Sequence, residues 1–125
     1  MTGPGVSRVR KGAEGEQRAA VFMAERGWTV LERNFRSVGG EIDIIAEKGD
    51  TVAFVEVKTW DVLPQGELEH SIDFRKQARI ARAARSYLAR SRALSGKRLR
   101  FDVIFLGKGA SGVQHIENAF SGGID

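Results

Sequence analysis

The chain has no cysteine, only two prolines and no long apolar run. Without cysteine there can be no disulfide and no thiolate metal site, and the composition suits a reducing, cytoplasmic setting. Without a long apolar run no helix is expected to span a membrane, and the N-terminus lacks the apolar stretch of a signal peptide. Histidine is scarce as well: His70 and His115 lie far apart, and both read as surface residues. What is present suits one globular domain, with 125 residues, 42% of them hydrophobic and 29% charged.

The net charge of +4 hides an asymmetry. Residues 72–92 hold seven Lys/Arg against the single acid Asp73, so that segment is +6 and the remainder of the chain is −2 by difference. Charge concentrated in one element is the footprint of a polyanion binder, although a solvated helix face has the same composition. Charge alone leaves both readings open.

The hydrophobic pattern divides the chain into an α-β-β-β-α-β order. Residues 1–11 read as a flexible tail, and a helical period runs from about Ala13 to Arg26, where Gly27 is a natural stop. Strands are expected at Trp28–Phe35, Glu41–Glu47 and Thr51–Thr59, the last two joined through Lys48-Gly49-Asp50. A loop at Asp61–Ser71 precedes a long helix that opens at Ser71 or Ile72 and runs to about Arg92. Arg98–Leu106 alternates as a further strand, Gly107–Gly112 turns, and Val113–Ile116 reads as a short edge strand. The expected architecture is a central mixed sheet flanked by helices, in one domain over 12–120 with a short tail at 121–125.

The second and third strands carry the chemistry. Val52, Phe54, Glu56 and Lys58 share one strand face while Thr51, Ala53, Val55 and Val57 share the other. Both faces are largely apolar, so Glu56 is expected to be buried, which is costly for a carboxylate unless it is paired or binds a metal. Asp43 sits in the neighbouring strand. If Glu47 and Thr51 flank the turn, Asp43 faces Val55 and Glu56 faces Ile42; a bulge or a one-residue shift is needed to bring the two acids together. Two converging carboxylates suit Mg²⁺. Lys58 could then orient a water or neutralise charge on a phosphate. On the long helix, Gln77 falls at the centre of an apolar stripe formed by Ala81, Ala84 and Leu88 with Phe74 and Ile80 at its edges, and Arg75, Arg79 and Arg82 line the opposite side. On the first helix, Glu16 is in line with Ala19, Ala20 and Met23. Taken singly, Gln77 reads as a buried amide satisfying a strand end and Glu16 as a solvated first-turn acid. Taken together, they suggest a shared polar pocket. Arg100-Phe101-Asp102 reads as a salt bridge, and Gly107–Gly112 lacks phosphate-loop spacing.

The runs Gly40-Glu41-Ile42-Asp43-Ile44-Ile45, Phe54-Val55-Glu56-Val57-Lys58, Lys76-Gln77 and Arg100-Phe101-Asp102-Val103 closely resemble the bacterial YraN family of endonuclease-like proteins. The similarity runs from about Gly12 to Phe120 and includes Gly15-Glu16 and His115-Ile116-Glu117-Asn118-Ala119-Phe120. That family resembles the PD-(D/E)XK nuclease superfamily, including archaeal Holliday junction resolvases. The resemblance implies a restriction-endonuclease-like fold and metal ligation by Asp43, Glu56 and the Val57 carbonyl. It further implies Lys58 as the catalytic lysine and supporting roles for Glu16 and Gln77. Two positions depart from the pattern: Val38-Gly39 stands where relatives often carry a basic or aromatic residue, and Trp60 where an Arg is common. The function expected is a nuclease acting on DNA, branched or structured DNA included, with Mg²⁺ or Mn²⁺ as cofactor. Arg75, Lys76, Arg79 and Arg82 would contact the nucleic acid, and a homodimer is a candidate assembly. A nucleic-acid-binding module without catalysis is the alternative, and a scaffold whose charged pocket only fixes the fold is a third reading.

Overall fold

The computed structural model describes residues 4–60, 72–107 and 112–122, with the side chains of residues 4–13 and of Trp60 outside that description. The expected loop at 61–71, His70, most of the Gly107–Gly112 turn and the extreme ends of both expected tails therefore lie outside the described residues. Helix α1 spans Pro4–Glu25, followed by strands β1 (Thr29–Ser37), β2 (Gly40–Lys48) and β3 (Thr51–Trp60). Helix α2 (Phe74–Ala89), a short 3₁₀ turn (Arg92–Leu94), and strands β4 (Arg98–Gly107) and β5 (Val113–Phe120) complete the domain. α1 starts well before the Ala13 expected, with Pro4 at its first position, where a missing N–H costs nothing. β5 is a full strand rather than the short edge expected.

The strands form one sheet in the order β1-β2-β3-β4-β5. Its pairs are antiparallel except β3 with β4, which run parallel because α2 carries the chain from one end of the sheet back to the other. Alternation along the strands assigns the faces. Ile44, Ala46, Ala53, Val55, Ile104 and Leu106 pack with Ala19, Ala20 and Met23 of α1. Ile45, Val52, Phe54 and Phe101 pack with Ile80, Ala81, Ala83 and Ala84 of α2. The domain is thus an α/β sheet covered by one helix on each side. Phe74, expected at the edge of the α2 stripe, is instead 86% exposed at the helix's first residue.

One detail of register decides the geometry of the site. β2 and β3 pair as Ile44↔Val55 through Lys48↔Thr51, one residue away from the register expected. The loop is therefore the two residues Gly49-Asp50, and Gly49 sits at φ 57°, the left-handed conformation such tight hairpins require. Continued by one residue, this register sets Asp43 opposite Glu56.

Candidate active site

Asp43 lies at the end of the paired part of β2, where its side chain reaches across to β3. Asp43 Oδ2 accepts a hydrogen bond from the Val57 backbone N–H at 2.8 Å. Glu56, next along β3, is 8% exposed on the face covered by α2. Burial raises its pKa, the Asp43 charge raises it further, and the Lys76 ammonium opposes both, leaving it at about 7. Burial also raises Asp43, against the hydrogen bonds from Val57 and Glu56. The like charges crowd one another, and a proton shared between them relieves the repulsion.

Glu16 joins this pair from the opposite side of the sheet. An added Cβ at Gly15 would lie 2.9 Å from Thr59 Oγ1, so glycine lets α1 pass close to the end of β3 without moving that side chain. Glu16 Oε1 is buried without a hydrogen-bond partner. Burial and the Asp43 charge raise the Glu16 pKa, while Arg33 and the Asn34 side chain lower it. Asn34 has φ 53°, a conformation asparagine tolerates better than most residues. Asp43 therefore stands between two further carboxyl groups that helix and strand deliver from separate parts of the chain.

α2 contributes from the other face. Asp73 caps it by accepting from the Lys76 backbone N–H at 2.8 Å. The Lys76 ammonium lies 3.3 Å from Glu56 Oε2. Gln77 is half-buried beside it, but its amide donates to the Ile72 carbonyl at 2.9 Å. Lys58, two residues beyond Glu56, returns to the same strand face. Among the described residues it has no hydrogen bond or ion pair. Arg75, Arg79 and Arg82 are exposed on α2. The fold therefore brings Glu16, Asp43, Val57, Glu56 and Lys76 together, leaves Lys58 without a polar partner among the described residues, and engages Gln77 with its own helix start.

Among the described residues, no group of three or more His, Asp or Glu side chains is arranged to hold a metal by itself. Hard oxygen donors are nevertheless what the site presents: two crowded carboxylates, a neighbouring backbone and an orphaned Glu16 oxygen. That set fits an ion such as Mg²⁺, which binds through one or two carboxylates and keeps several waters.

A second buried acid has a different character. Asp102 is fully buried on the α1 face of β4. It accepts from Arg100 through two hydrogen bonds of 3.1 and 2.7 Å and from the Asn118 backbone N–H at 2.9 Å, and lies 2.8 Å from His115 Nε2. Burial would raise its pKa, but the His115, Arg100 and Asn118 hydrogen bonds outweigh it and hold the group below the usual carboxylate range. The expected salt bridge is present. His115 is not a surface residue: it pairs with Ile104, which faces α1, so its side chain turns inward to Asp102 with 11% of it exposed. This acid is satisfied, whereas the Asp43–Glu56 pair is crowded.

A sequence profile described as Uncharacterised protein family UPF0102 matches residues 15–106. The chain belongs to that family. It is the YraN family to which the motifs point. Relatives named UPF0102 protein include one from Persephonella marina, 44% identical over 110 residues that cover 88% of this chain and 92% of the relative. One from Moorella thermoacetica is 40% identical over 119 residues, covering 92% of this chain and 98% of the relative. One from Treponema pallidum is 45% identical over 95 residues, covering 76% of this chain and 75% of the relative. The UPF0102 match takes in Glu16, Asp43, Glu56, Lys58 and Gln77.

Two features of the site escaped the sequence. The Lys76–Glu56 pair depends on how α2 docks on the sheet, which no local pattern encodes. Asn34 stands among the polar residues Glu32, Arg33 and Arg36 of β1, which gave it no signal of its own.

Proposed function

We propose that this protein is a divalent-metal-dependent nuclease that hydrolyses phosphodiester bonds in DNA, branched or structured DNA included. The observation that carries the reading is the Asp43–Glu56 pair, a half-buried and a buried carboxylate whose pKa values burial raises, that of Glu56 further raised by the Asp43 charge. Such a pair is stabilised by a proton or by a cation. Asp43, Glu56 and the Val57 carbonyl would hold Mg²⁺ or Mn²⁺, which when bound would supply positive charge and Lewis acidity at the scissile phosphate. Lys58 would orient the attacking water and neutralise charge developing on the phosphate oxygens. Arg75, Lys76, Arg79 and Arg82 would bind the nucleic-acid backbone, Glu16 would position Asp43, and Gln77 would brace the start of α2. The resemblance to PD-(D/E)XK nucleases supports these roles.

A nucleic-acid-binding module without cleavage is the second reading. The observation that favours it is the Lys76 ammonium 3.3 Å from Glu56, a built-in counter-ion that steadies the site without metal.

Lys58 separates the two. Lys58→Met keeps most of the stem and removes the charge. Plasmid, single-strand, flap and four-way-junction substrates would be incubated with highly purified protein and Mn²⁺. The nuclease reading expects wild type to cut at least one of them. It expects Lys58→Met to cut roughly a hundredfold more slowly or worse, with affinity within about a few-fold because only one phosphate-range charge is lost. No cleavage by wild type, or equal cleavage by the variant, leaves the binding module as the function.

A further inference from the structure

A cleft of about 380 Å³ lies between the β1–β2 turn and α2. Arg36, Ser37, Val38 and Gly40 line it from the turn, and Lys76 and Arg79 line it from the helix. Its position is fixed by contact rather than by a loose loop. A Cβ at Gly40 would collide with the Arg79 carbonyl oxygen, so the turn rests directly on the helix backbone.

The cleft is cationic. Three basic side chains (Arg36, Lys76, Arg79) line it against the single carboxylate of Glu41. Glu41 is exposed and already 3.3 Å from the Arg36 guanidinium. Arg79 has no ion pair among the described residues. Ile80, 2% exposed, supplies an apolar floor, and Val38 stands fully exposed at the rim. Guanidinium groups converging from two elements, with an apolar surface beside them, suit a phosphate joined to a sugar. The volume falls near the small end of the range for ligand pockets, roughly 300–1,000 Å³, which suits one backbone unit rather than a base pair.

Lys76 connects this cleft to the acid pair. Its side chain lines the cleft and its ammonium lies 3.3 Å from Glu56 Oε2. An anion seated between Arg36 and Arg79 is therefore one lysine side chain away from the carboxylates.

We propose that the cleft seats a backbone phosphate of the nucleic-acid strand flanking the acid pair, held by Arg36 of the β1–β2 turn and Arg79 of α2. This rests on the nucleic-acid-binding reading above and adds the turn to the contact surface. The strand then runs from the turn, past Lys76, to Asp43 and Glu56. Val38 packs against the sugar.

The test compares wild type with Arg36→Ala, Arg79→Ala and Arg98→Ala, using a labelled oligonucleotide as single strand and as duplex over a range of salt. Arg36 is exposed, so its removal leaves the core intact. Arg98 is an exposed arginine at the far end of β4, paired with Thr51, and controls for the loss of one charge. Each cleft variant should bind several-fold more weakly, with a salt slope lower by about one unit, the mark of a single lost phosphate contact. Arg98→Ala should bind as wild type. Backbone amide resonances of Gly39 and Gly40 should shift on adding the oligonucleotide and stay in place with inorganic phosphate at matched phosphate concentration. If wild type binds and the Arg36 variant matches the Arg98 control, the cleft assignment is overturned while the nucleic-acid reading stands. Gly39 and Gly40 shifts produced equally by inorganic phosphate would overturn it in favour of a small-anion site. If wild type binds no oligonucleotide at low salt, the nucleic-acid reading fails and the cleft assignment falls with it.

Discussion

Asp43 acts on both acids beside it, because its charge helps to raise the pKa of Glu16 and of Glu56. Burial is the first cause of the raised Glu56 pKa and the Asp43 charge is the second. Replacing Asp43 with Asn removes the second cause and leaves an oxygen to accept from Val57. Glu56 should then titrate below its present value of about 7. The metal-free protein should gain roughly 1 kcal/mol, about one pKa unit's worth of relieved repulsion. Carbon-detected NMR titration of the Glu56 carboxyl and urea unfolding in a chelator would read the two effects. An unchanged Glu56 titration in Asp43→Asn would mean that burial alone sets it.

At the scale of elements, the β1–β2 turn and α2 behave as one unit because Gly40 lets their backbones touch. Gly40→Ala would drive a methyl group into the Arg79 carbonyl, and backbone cannot rotate away as a side chain can. The expected cost is at least the ~1–3 kcal/mol of an overpacked core, seen as a lower urea midpoint with an unchanged slope. Full wild-type stability would mean that the turn is free to lift off the helix. α2 itself presents Arg75, Arg79 and Arg82 to solvent. Removing all three should lower the salt dependence of nucleic-acid binding by up to about 3 units. A slope equal to wild type would move the binding surface off this helix.

For the whole molecule, the two sets of inward-facing acids pull stability in opposite directions with pH. Glu16, Asp43 and Glu56 have raised pKa values, so their contribution is fully present below the ordinary carboxylate range and is lost as pH rises. For Glu56 the window runs from 4.5, its ordinary value, to about 7. Asp102 is lowered, so its contribution is present above its ordinary value of 3.8 and is lost as pH falls through its lower folded value. The metal-free protein should therefore be most stable in mildly acidic solution and should lose on the order of 3 kcal/mol toward pH 8. Glu56→Gln should remove most of that loss. Urea unfolding at a series of pH values checks it, and an equally steep decline in Glu56→Gln would assign the effect to other groups. No helix among the described residues is long and apolar enough to cross a membrane.

The order of elements was legible in the sequence because it rests on local periodicity. Apolar residues run nearly unbroken on both faces of β3 and β4 and recur near every third or fourth position in α2, and burial of those positions is what makes the elements. Glu56 was legible for the same reason: an acid with apolar neighbours on both strand faces has nowhere exposed to go. Only the tertiary structure decided which groups meet. Whether Asp43 faces Glu56 depended on a single residue of register, set by Gly49 adopting a left-handed conformation in a two-residue turn. Gln77 had a sheet-facing position in the helical pattern, yet its amide took the nearer Ile72 carbonyl. The inward turn of His115 onto Asp102, the Lys76–Glu56 pair and the cleft beside Arg36 join residues from separate elements. Such contacts depend on how each helix or strand docks on its neighbour, and periodicity along one segment specifies which face is buried but not what it will touch.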